Sequence, residues 1–487
     1  MDDARMTTEI NQAGKEGLPR IAILGGGPAG LGAAWRLAKT SKAAVTLFEA
    51  GARLGGNAGS FDAEGVHCDF GSHRLHPASD PEILADIKSL LGDDLLLRPR
   101  HGRIRLKGSW IHFPLKPVDL ATKLPPLFAA SLFFDAATAK LRAPRVERET
   151  FGSVLLGGLG RAMCESFYFP YMKKLWGLGP DELAPTLAKR RVSGSSLPKL
   201  MRKIFASLPG LKSPTTGKFY YPRGGFGVIS ERIGEAAKSA GAHLELNSRV
   251  EGIEVVDNEV RSVTVRRGEH MQRHGVDAVW STLPLTVLVR AAGDAAPDTV
   301  KNAANAIRFR GMILVYIVLD TDQYTEFDAH YFPELSIPIS RLSEPKNYSA
   351  ASEPKGRTIL CAELPSDPGD PYWTMDDASL GAALYHWLGD CGLPQQAKII
   401  RSFTRRLPYA YPVYDRDYES NFKLLDDWLA GVKGLLTFGR QGLFAHDNTH
   451  HALAMAYGAA DCLNGGVFDA DKWAQYRAEF LTHVVED

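Results

Sequence analysis

The chain has 487 residues, with 57 Lys plus Arg against 56 Asp plus Glu and 45% hydrophobic residues. That composition excludes a disordered or fibrous protein and leaves room for roughly two to four packed units with a cofactor and a substrate between them. A formal charge of +1 spreads no field broad enough for a polyanion, and no dense basic patch stands out, so nucleic acid is not expected as a partner.

The opening 18 residues are polar and lack the apolar core of a signal peptide, which predicts a flexible tail. Ile21 to Leu24 then form a short apolar run followed at once by Gly25-Gly26-Gly27-Pro28-Ala29-Gly30. This predicts a buried parallel strand feeding a helix from about Gly30 to Lys39, with Val45 to Phe48 as the next strand of a βαβ unit. Asp80 to Leu91 reads as helix, and helical segments recur between Pro and Gly breaks from Leu120 to Arg202. The most apolar run, Leu124 to Phe134, carries two prolines and falls short of the roughly 20 residues of a spanning helix. A buried helix under a substrate cavity is the favoured reading, and peripheral membrane contact stays open.

After Tyr221-Pro222-Arg223-Gly224-Gly225 a helix is expected to Ala240, then strands from Leu244 to Val265. Strands at Met312 to Leu319 and Thr358 to Leu364 mix with a helix at Leu380 to Leu388. Gly434 to Phe438 returns to strand and Thr449 to Asn464 to an Ala-rich helix. The cysteines Cys68, Cys164, Cys361, Cys391 and Cys462 form no CxxC pair, which fits a reducing, cytoplasmic location.

Gly25-x-Gly27-x-x-Gly30 sits where a dinucleotide loop needs it: one glycine for the turn, one for close approach of pyrophosphate, one for helix packing. The helix N-terminus then faces phosphate. Glu49 follows Gly30 by 19 residues at the end of the next strand, the position that accepts hydrogen bonds from ribose hydroxyls. A carboxylate there disfavours NADP and leaves FAD or NAD. Arg53-Leu54-Gly55-Gly56 adds a cation and a second glycine pair, which NAD dehydrogenases do not usually need.

Glu49-Ala50-x-x-Arg53-Leu54-Gly55-Gly56, Tyr221-Pro222-Arg223-Gly224-Gly225 and Gly439-Arg440 together resemble the FAD-contacting segments of the clan of amine oxidases, protoporphyrinogen oxidases and UDP-galactopyranose mutases. The resemblance spans almost the whole chain. It implies an α/β fold with a Rossmann-like, glutathione-reductase-like FAD domain assembled from residues 19–82, 216–290 and 430–487. A helical capping region at 83–215 and a mixed α+β substrate domain at 291–429 complete the expected organisation. It implies FAD held by Gly25, Gly27, Pro28, Ala29, Gly30, Glu49, Ala50, Arg53, Gly55, Gly56, Gly439, Arg440 and Asn448, with the Val250 backbone at the adenine.

Within that clan Phe70-Gly71-Ser72-His73-Arg74-Leu75-His76-Pro77 resembles the flavin-flanking loop of the mutases, with His73 and His76 at their spacing. Tyr171 and Trp176 lie in a segment similar to the aromatic stretch that covers uridine or sugar in those enzymes. Arg190 matches a diphosphate-binding arginine, with Arg191 beside it as the alternative. Arg310 and Tyr411 match two further substrate residues. His446 stands where the mutases carry a diphosphate-binding tyrosine, and Asn448 where they carry an acid. A metal at His446, His450, His451 and Asp447 is not expected, because the resemblance runs a helix under the flavin there.

Three activities follow from the resemblance. The first is hydride removal from a small molecule by bound FAD, with His73, Arg74, His76, Arg310 and Tyr411 shaping the reacting site. The second is a mutase-like isomerisation in which reduced flavin is a nucleophile toward a nucleotide-linked sugar, with Trp176, Arg190, Arg310 and Tyr411 holding the nucleotide part. The third, a flavin-bearing binding protein without turnover, fits the density of arginines least. The expected substrate is a small molecule, nucleotide-linked or apolar.

Overall fold

The computed structural model describes residues 7–10, 17–142, 147–191 and 217–485. The strand Arg20–Leu24 sits in the middle of a five-stranded parallel sheet, ordered His243–Glu245, Ala44–Phe48, Arg20–Leu24, Ala278–Ser281 and Leu435–Thr437. Its buried, branched residues are what a strand covered on both faces requires. One face carries the helix Pro28–Lys39, packed against the helix Thr449–Asp461. Gly32 permits that approach: a Cβ there would lie 2.9 Å from a Leu453 methyl and 3.1 Å from Ala456 Cβ.

The chain therefore closes its dinucleotide layer with pieces drawn from both ends and the middle. A second, seven-stranded sheet runs Ile399–Pro412, Phe309–Leu319, Thr358–Pro365, Arg341–Ser343, Ala329–Tyr331, Gly102–Leu106 and Ser109–Phe113. Its second strand, Phe309–Leu319, is buried from Gly311 onward, and its apolar side chains seed the core of this half.

Two expectations need correction. Residues 102–113, placed by the sequence in a helical capping region, are an antiparallel hairpin that completes the substrate sheet. Alternation of Ile104, Leu106 and Ile111 with polar neighbours is the period-2 signal behind it. Residues 7–10, placed in a flexible tail, form a strand parallel to His270–Gly275. The helix Pro126–Arg142 includes most of the apolar run at 124–134, with Leu127 88% and Phe134 58% exposed, so that run is not wholly buried. The helical reading of 192–202 lies outside the described residues.

Candidate active site

Between the two sheets lies a cavity with about 1840 Å3 of empty space, part of it open to solvent. Its lining runs from the glycine loop of the parallel sheet to Met312, Leu314 and Tyr411 of the second sheet, so it joins a cofactor end to a substrate end. One end is walled by the glycine loop, through Gly25, Gly27, Pro28 and Ala29, and by Glu49 and Gly56.

The local geometry there fits a dinucleotide. A Cβ on Gly30 would sit 2.0 Å from the Gly25 carbonyl oxygen, so only glycine lets the helix start this close to the strand. A Cβ on Gly27 meets nothing within 4 Å, which leaves open space in front of the helix N-terminus. Gly27 is the N-cap and supplies no side-chain acceptor, so the first-turn N–H groups await an anion. Glu49 accepts from the Gly26 and Gly51 N–H groups, both at 2.7 Å, and this fixes its carboxylate at the cavity wall. The Gly55 N–H donates to the Gly26 carbonyl at 2.8 Å and joins the second glycine loop to the first. Gly439 reaches the same place, where its Cβ would lie 2.8 Å from that of Ala29.

Other members of the expected cofactor set stand back from the wall. Arg53 donates to the Gly56 carbonyl at 3.1 Å, and its guanidinium lies 3.5 Å from the Phe70 ring centre, so it braces the second loop. Ala50 is exposed, and Val250 sits half-buried in the strand Arg249–Val256, off the cavity lining. Arg440 and Asn448 do line it. Arg440 donates to the carbonyls of Asp447 and Ala410, both at 2.9 Å, and its buried Nε has no hydrogen-bond partner.

A model of the flavin-containing amine oxidoreductases matches residues 28–388. The chain belongs to that family. FAD is its cofactor, and the protein is an FAD-dependent enzyme of oxidoreductase type. Its fold is similar to that of reduced UDP-galactopyranose mutase (TM-score 0.78, 21% identity, 96% of this chain and 100% of the other). It is also similar to a protein assigned as protoporphyrinogen oxidase from Exiguobacterium sp. 255-15 (0.65, 20%, 91% and 98%). Cyclohexylamine oxidase from Brevibacterium oxydans IH-35A gives 0.63 at 15% identity over 91% and 98%. The fold and clan read from the three glycine and arginine segments are thus correct.

The remaining wall combines aromatic and cationic groups. Tyr411 ends the strand Ile399–Pro412, and its ring centre lies 5.0 Å from His446 and 5.7 Å from Trp176. Trp176 itself is only 2% exposed and donates to the Pro412 carbonyl at 2.9 Å. It supports Tyr411 and His446 from behind and does not line the cavity. Tyr171 is likewise buried beside Phe167, off the lining.

Of the two adjacent arginines, Arg191 lines the cavity and Arg190 does not. Arg191 Nη1 donates to His446 Nε2 at 2.5 Å. The imidazole is neutral, held well below its ordinary range by burial first and then by Arg191, Arg440, Arg190 and Arg341. Arg440 Nη2 faces the other ring nitrogen, Nδ1, at 3.4 Å, so both nitrogens of the imidazole look onto arginine donors.

His73 and Arg74 also line the cavity. Burial holds His73 below the usual imidazole range, and its Nε2 donates to the Phe70 carbonyl at 3.0 Å. Arg74 acts as a brace: it donates to Asp328 at 3.1 Å and to the hydroxyls of Tyr331 and Tyr348, each at 3.0 Å. Burial disfavours its charge, yet Tyr348, Tyr331 and Asp328 outweigh that and raise its pKa. His76 lies off the lining, its Nδ1 accepting from the Ala78 N–H at 3.1 Å. Arg310 is also off it, paired with Asp367 and donating to the Pro365 carbonyl at 3.2 Å. Each side chain has a local partner that the motif match alone does not show, although the buried Nε of Arg74 and of Arg310 has no hydrogen-bond partner among the described residues.

Two residues missed by the sequence reading complete the wall. Arg341 donates to Glu363 Oε1 through Nε at 3.0 Å and Nη2 at 2.7 Å, and the same oxygen accepts the Ser72 N–H at 2.9 Å. A glutamate inside the apolar run Thr358–Pro365 is a detectable signal, since a carboxylate in a fully buried strand needs a partner. Arg341 heads a three-residue strand with no motif around it.

Proposed function

We propose that this FAD-dependent enzyme oxidises an anionic small molecule by hydride transfer. The supporting observation is the convergence of Arg191, Arg440, Arg190 and Arg341 on His446, a positive field inside a cavity that also holds Tyr411. A field of one sign between low-dielectric walls concentrates ligands of the opposite sign. Bound FAD supplies the hydride acceptor.

The protein's own groups do the positioning. Arg191 and Arg341 offer a carboxylate or phosphate the guanidinium N–H groups not given to His446 and Glu363, and the Tyr411 ring gives the substrate a flat apolar surface. Glu363 and the Ser72 N–H fix the Arg341 fork, while Trp176 keeps Tyr411 and His446 in register. His73, with its proton on Nε2, keeps its Nδ1 lone pair uncharged near neutrality. Catalytic or binding roles for Arg74, His76 and Arg310 receive no support from their contacts, which are those of positioning residues.

A mutase-like reaction is the second reading, favoured by the same arginines, because guanidinium groups along one wall also suit the diphosphate of a nucleotide-linked sugar. One experiment separates the two. UDP, UDP-galactose and a set of carboxylates are titrated into the oxidised and the dithionite-reduced protein while the flavin absorbance is followed. Reduction of the flavin by a donor, with stoichiometric acceptor use, supports oxidation. Tight binding of UDP-galactose confined to the reduced protein, without net electron use, supports isomerisation.

No helix among the described residues is long and apolar enough to cross a membrane. A cytoplasmic location is part of the proposal and is supported by five buried cysteines, all free. Val118, Leu127 and Phe134, exposed near one another in sequence, leave peripheral membrane contact as a further proposal.

A further inference from the structure

At the cavity wall, Asp447 meets two histidines from different parts of the chain. His451 stands in the first turn of the helix Thr449–Asp461, and His483 follows the helix Ala470–Phe480. Asp447 Oδ2 lies 3.2 Å from His483 Nδ1, and Oδ1 lies 3.9 Å from His451 Nδ1. One donor atom from each residue falls within 4.8 Å of the others. The two imidazoles are stacked, with centres 4.2 Å apart and planes 15° from parallel.

The carboxylate is fully shielded from solvent, and its Oδ1 has no hydrogen-bond partner among the described residues. A buried anion with an oxygen left over is expensive unless a cation meets it. His450 adds a fourth nitrogen close by: its ring centre is 4.1 Å from that of His451, and its buried Nδ1 also lacks a hydrogen-bond partner.

We propose that Asp447, His451 and His483 bind a divalent cation of the Zn(II) class, which clamps the C-terminal segment onto the helix Thr449–Asp461. Two imidazoles and one carboxylate suit borderline cations such as Zn(II), Co(II) or Fe(II), whereas Mg(II) and Ca(II) require oxygen-rich shells. Metal–ligand bonds of about 2.0–2.2 Å require the three side chains to draw together and the stacked rings to turn until their Nδ1 lone pairs converge. The long 3.3 Å contact from the Asn448 N–H to His451 Nδ1 is exchanged in the process. The clamp has a reason to exist, because two residues past His483 the Val485 N–H donates to the Arg190 carbonyl at 3.0 Å and Val485 lines the cavity. A cation at Asp447 thus fixes the segment that backs the Arg190–Arg191 turn. The inference stands apart from the choice of substrate. It also departs from the sequence expectation of no metal, which weighed His446, Asp447, His450 and His451 and had no means of bringing in His483.

The test uses untagged holoprotein purified without chelator. Elemental analysis is expected to find about one equivalent of a Zn(II)-class metal per chain. After EDTA treatment and desalting, Zn(II) is titrated calorimetrically into wild type, His483→Ala and Asp447→Asn. Loss of one ligand is expected to weaken binding by more than the about 10–100-fold typical of losing an outer-sphere partner. Co(II) added to the wild type is expected to give d–d bands at longer wavelength than the flavin bands, a readout independent of how the variants fold. Absence of metal, heat and Co(II) bands in the wild type overturns the proposal, as does unchanged Zn(II) affinity in a folded His483→Ala protein. In either case Asp447 and His483 form a simple ion pair.

Discussion

Arg191 donates to the Nε2 of His446 at 2.5 Å across 255 residues of sequence, joining the end of the helix Pro185–Arg191 to the turn that follows Arg440. This contact sets the orientation of the imidazole and holds one of the cations that act on Tyr411. Replacing Arg191 with Ala removes a charged donor worth roughly 1.5–3 kcal/mol. Binding of an anionic ligand is therefore expected to weaken about 10- to 100-fold with flavin content unchanged, read from flavin-absorbance titrations. Release of flavin by the substitution would place Arg191 on the cofactor instead.

The two glycines of the dinucleotide loop should separate folding from cofactor binding. Gly27→Ala projects a methyl group into open space, so the apoprotein is expected to keep its thermal midpoint while FAD retention on dilution falls. Gly30→Ala forces a methyl group against the Gly25 carbonyl and should lower both. Equal loss of stability in the two variants would refute the placement of the cofactor in front of Gly27.

Glu49 provides a second check on the cofactor. Its carboxylate is positioned by the Gly26 and Gly51 N–H groups, and the proposed cofactor placement gives it ribose hydroxyls as outward partners. Glu49→Ala is expected to lower FAD affinity by at least about 10-fold, following the roughly 1.5–3 kcal/mol of a charged hydrogen bond. The free flavin recovered by ultrafiltration measures it.

Arg74 is expected to fail as a catalytic residue and to matter as a brace. Arg74→Ala strands the buried Asp328, so a stability loss of about 3–5 kcal/mol is expected in denaturant titrations. The double variant Arg74→Met with Asp328→Leu should recover much of it, since removing both charges avoids the buried orphan.

Acid stability follows from buried histidines. Burial holds His330, His274 and His73 below the ordinary imidazole pKa of about 6.5. Above that pH neither the folded nor the unfolded state carries the extra protons. Below it the unfolded chain binds protons that the folded one refuses, so stability falls as pH drops, by up to about 1.4 kcal/mol per pH unit for each group. Denaturation midpoints between pH 7 and 5 should decline accordingly, and His330→Gln should flatten the slope. An unchanged slope would mean that His330 is charged in the folded protein.

The cofactor half of the molecule was legible in the sequence because its requirements are local. Gly25, Gly27, Gly30 and Glu49 act through backbone geometry within one βαβ unit, and spacing records such geometry directly. The substrate half was less so. Arg190, Arg310 and His76 matched by position, yet a guanidinium or imidazole faces whichever acceptor lies nearest, and Asp367 or a backbone N–H is invisible to a motif. Arg341 and Glu363 escaped because they meet across neighbouring strands whose register only the folded sheet defines. Residues 102–113 were misassigned for a related reason: a short hairpin between helices gains its stability from the sheet it joins.

The order of strands in the parallel sheet also constrains biosynthesis. Arg20–Leu24 leaves the ribosome long before its neighbour Ala278–Ser281, and longer still before Leu435–Thr437. At about 5–20 residues per second, tens of seconds pass in which a strongly apolar strand has one open edge. The glycine loop cannot be complete in that interval, because Gly439 and the helix Thr449–Asp461 have yet to emerge. Flavin capture is consequently a late, post-translational event, and nascent chains stalled before residue 435 are natural clients for chaperones.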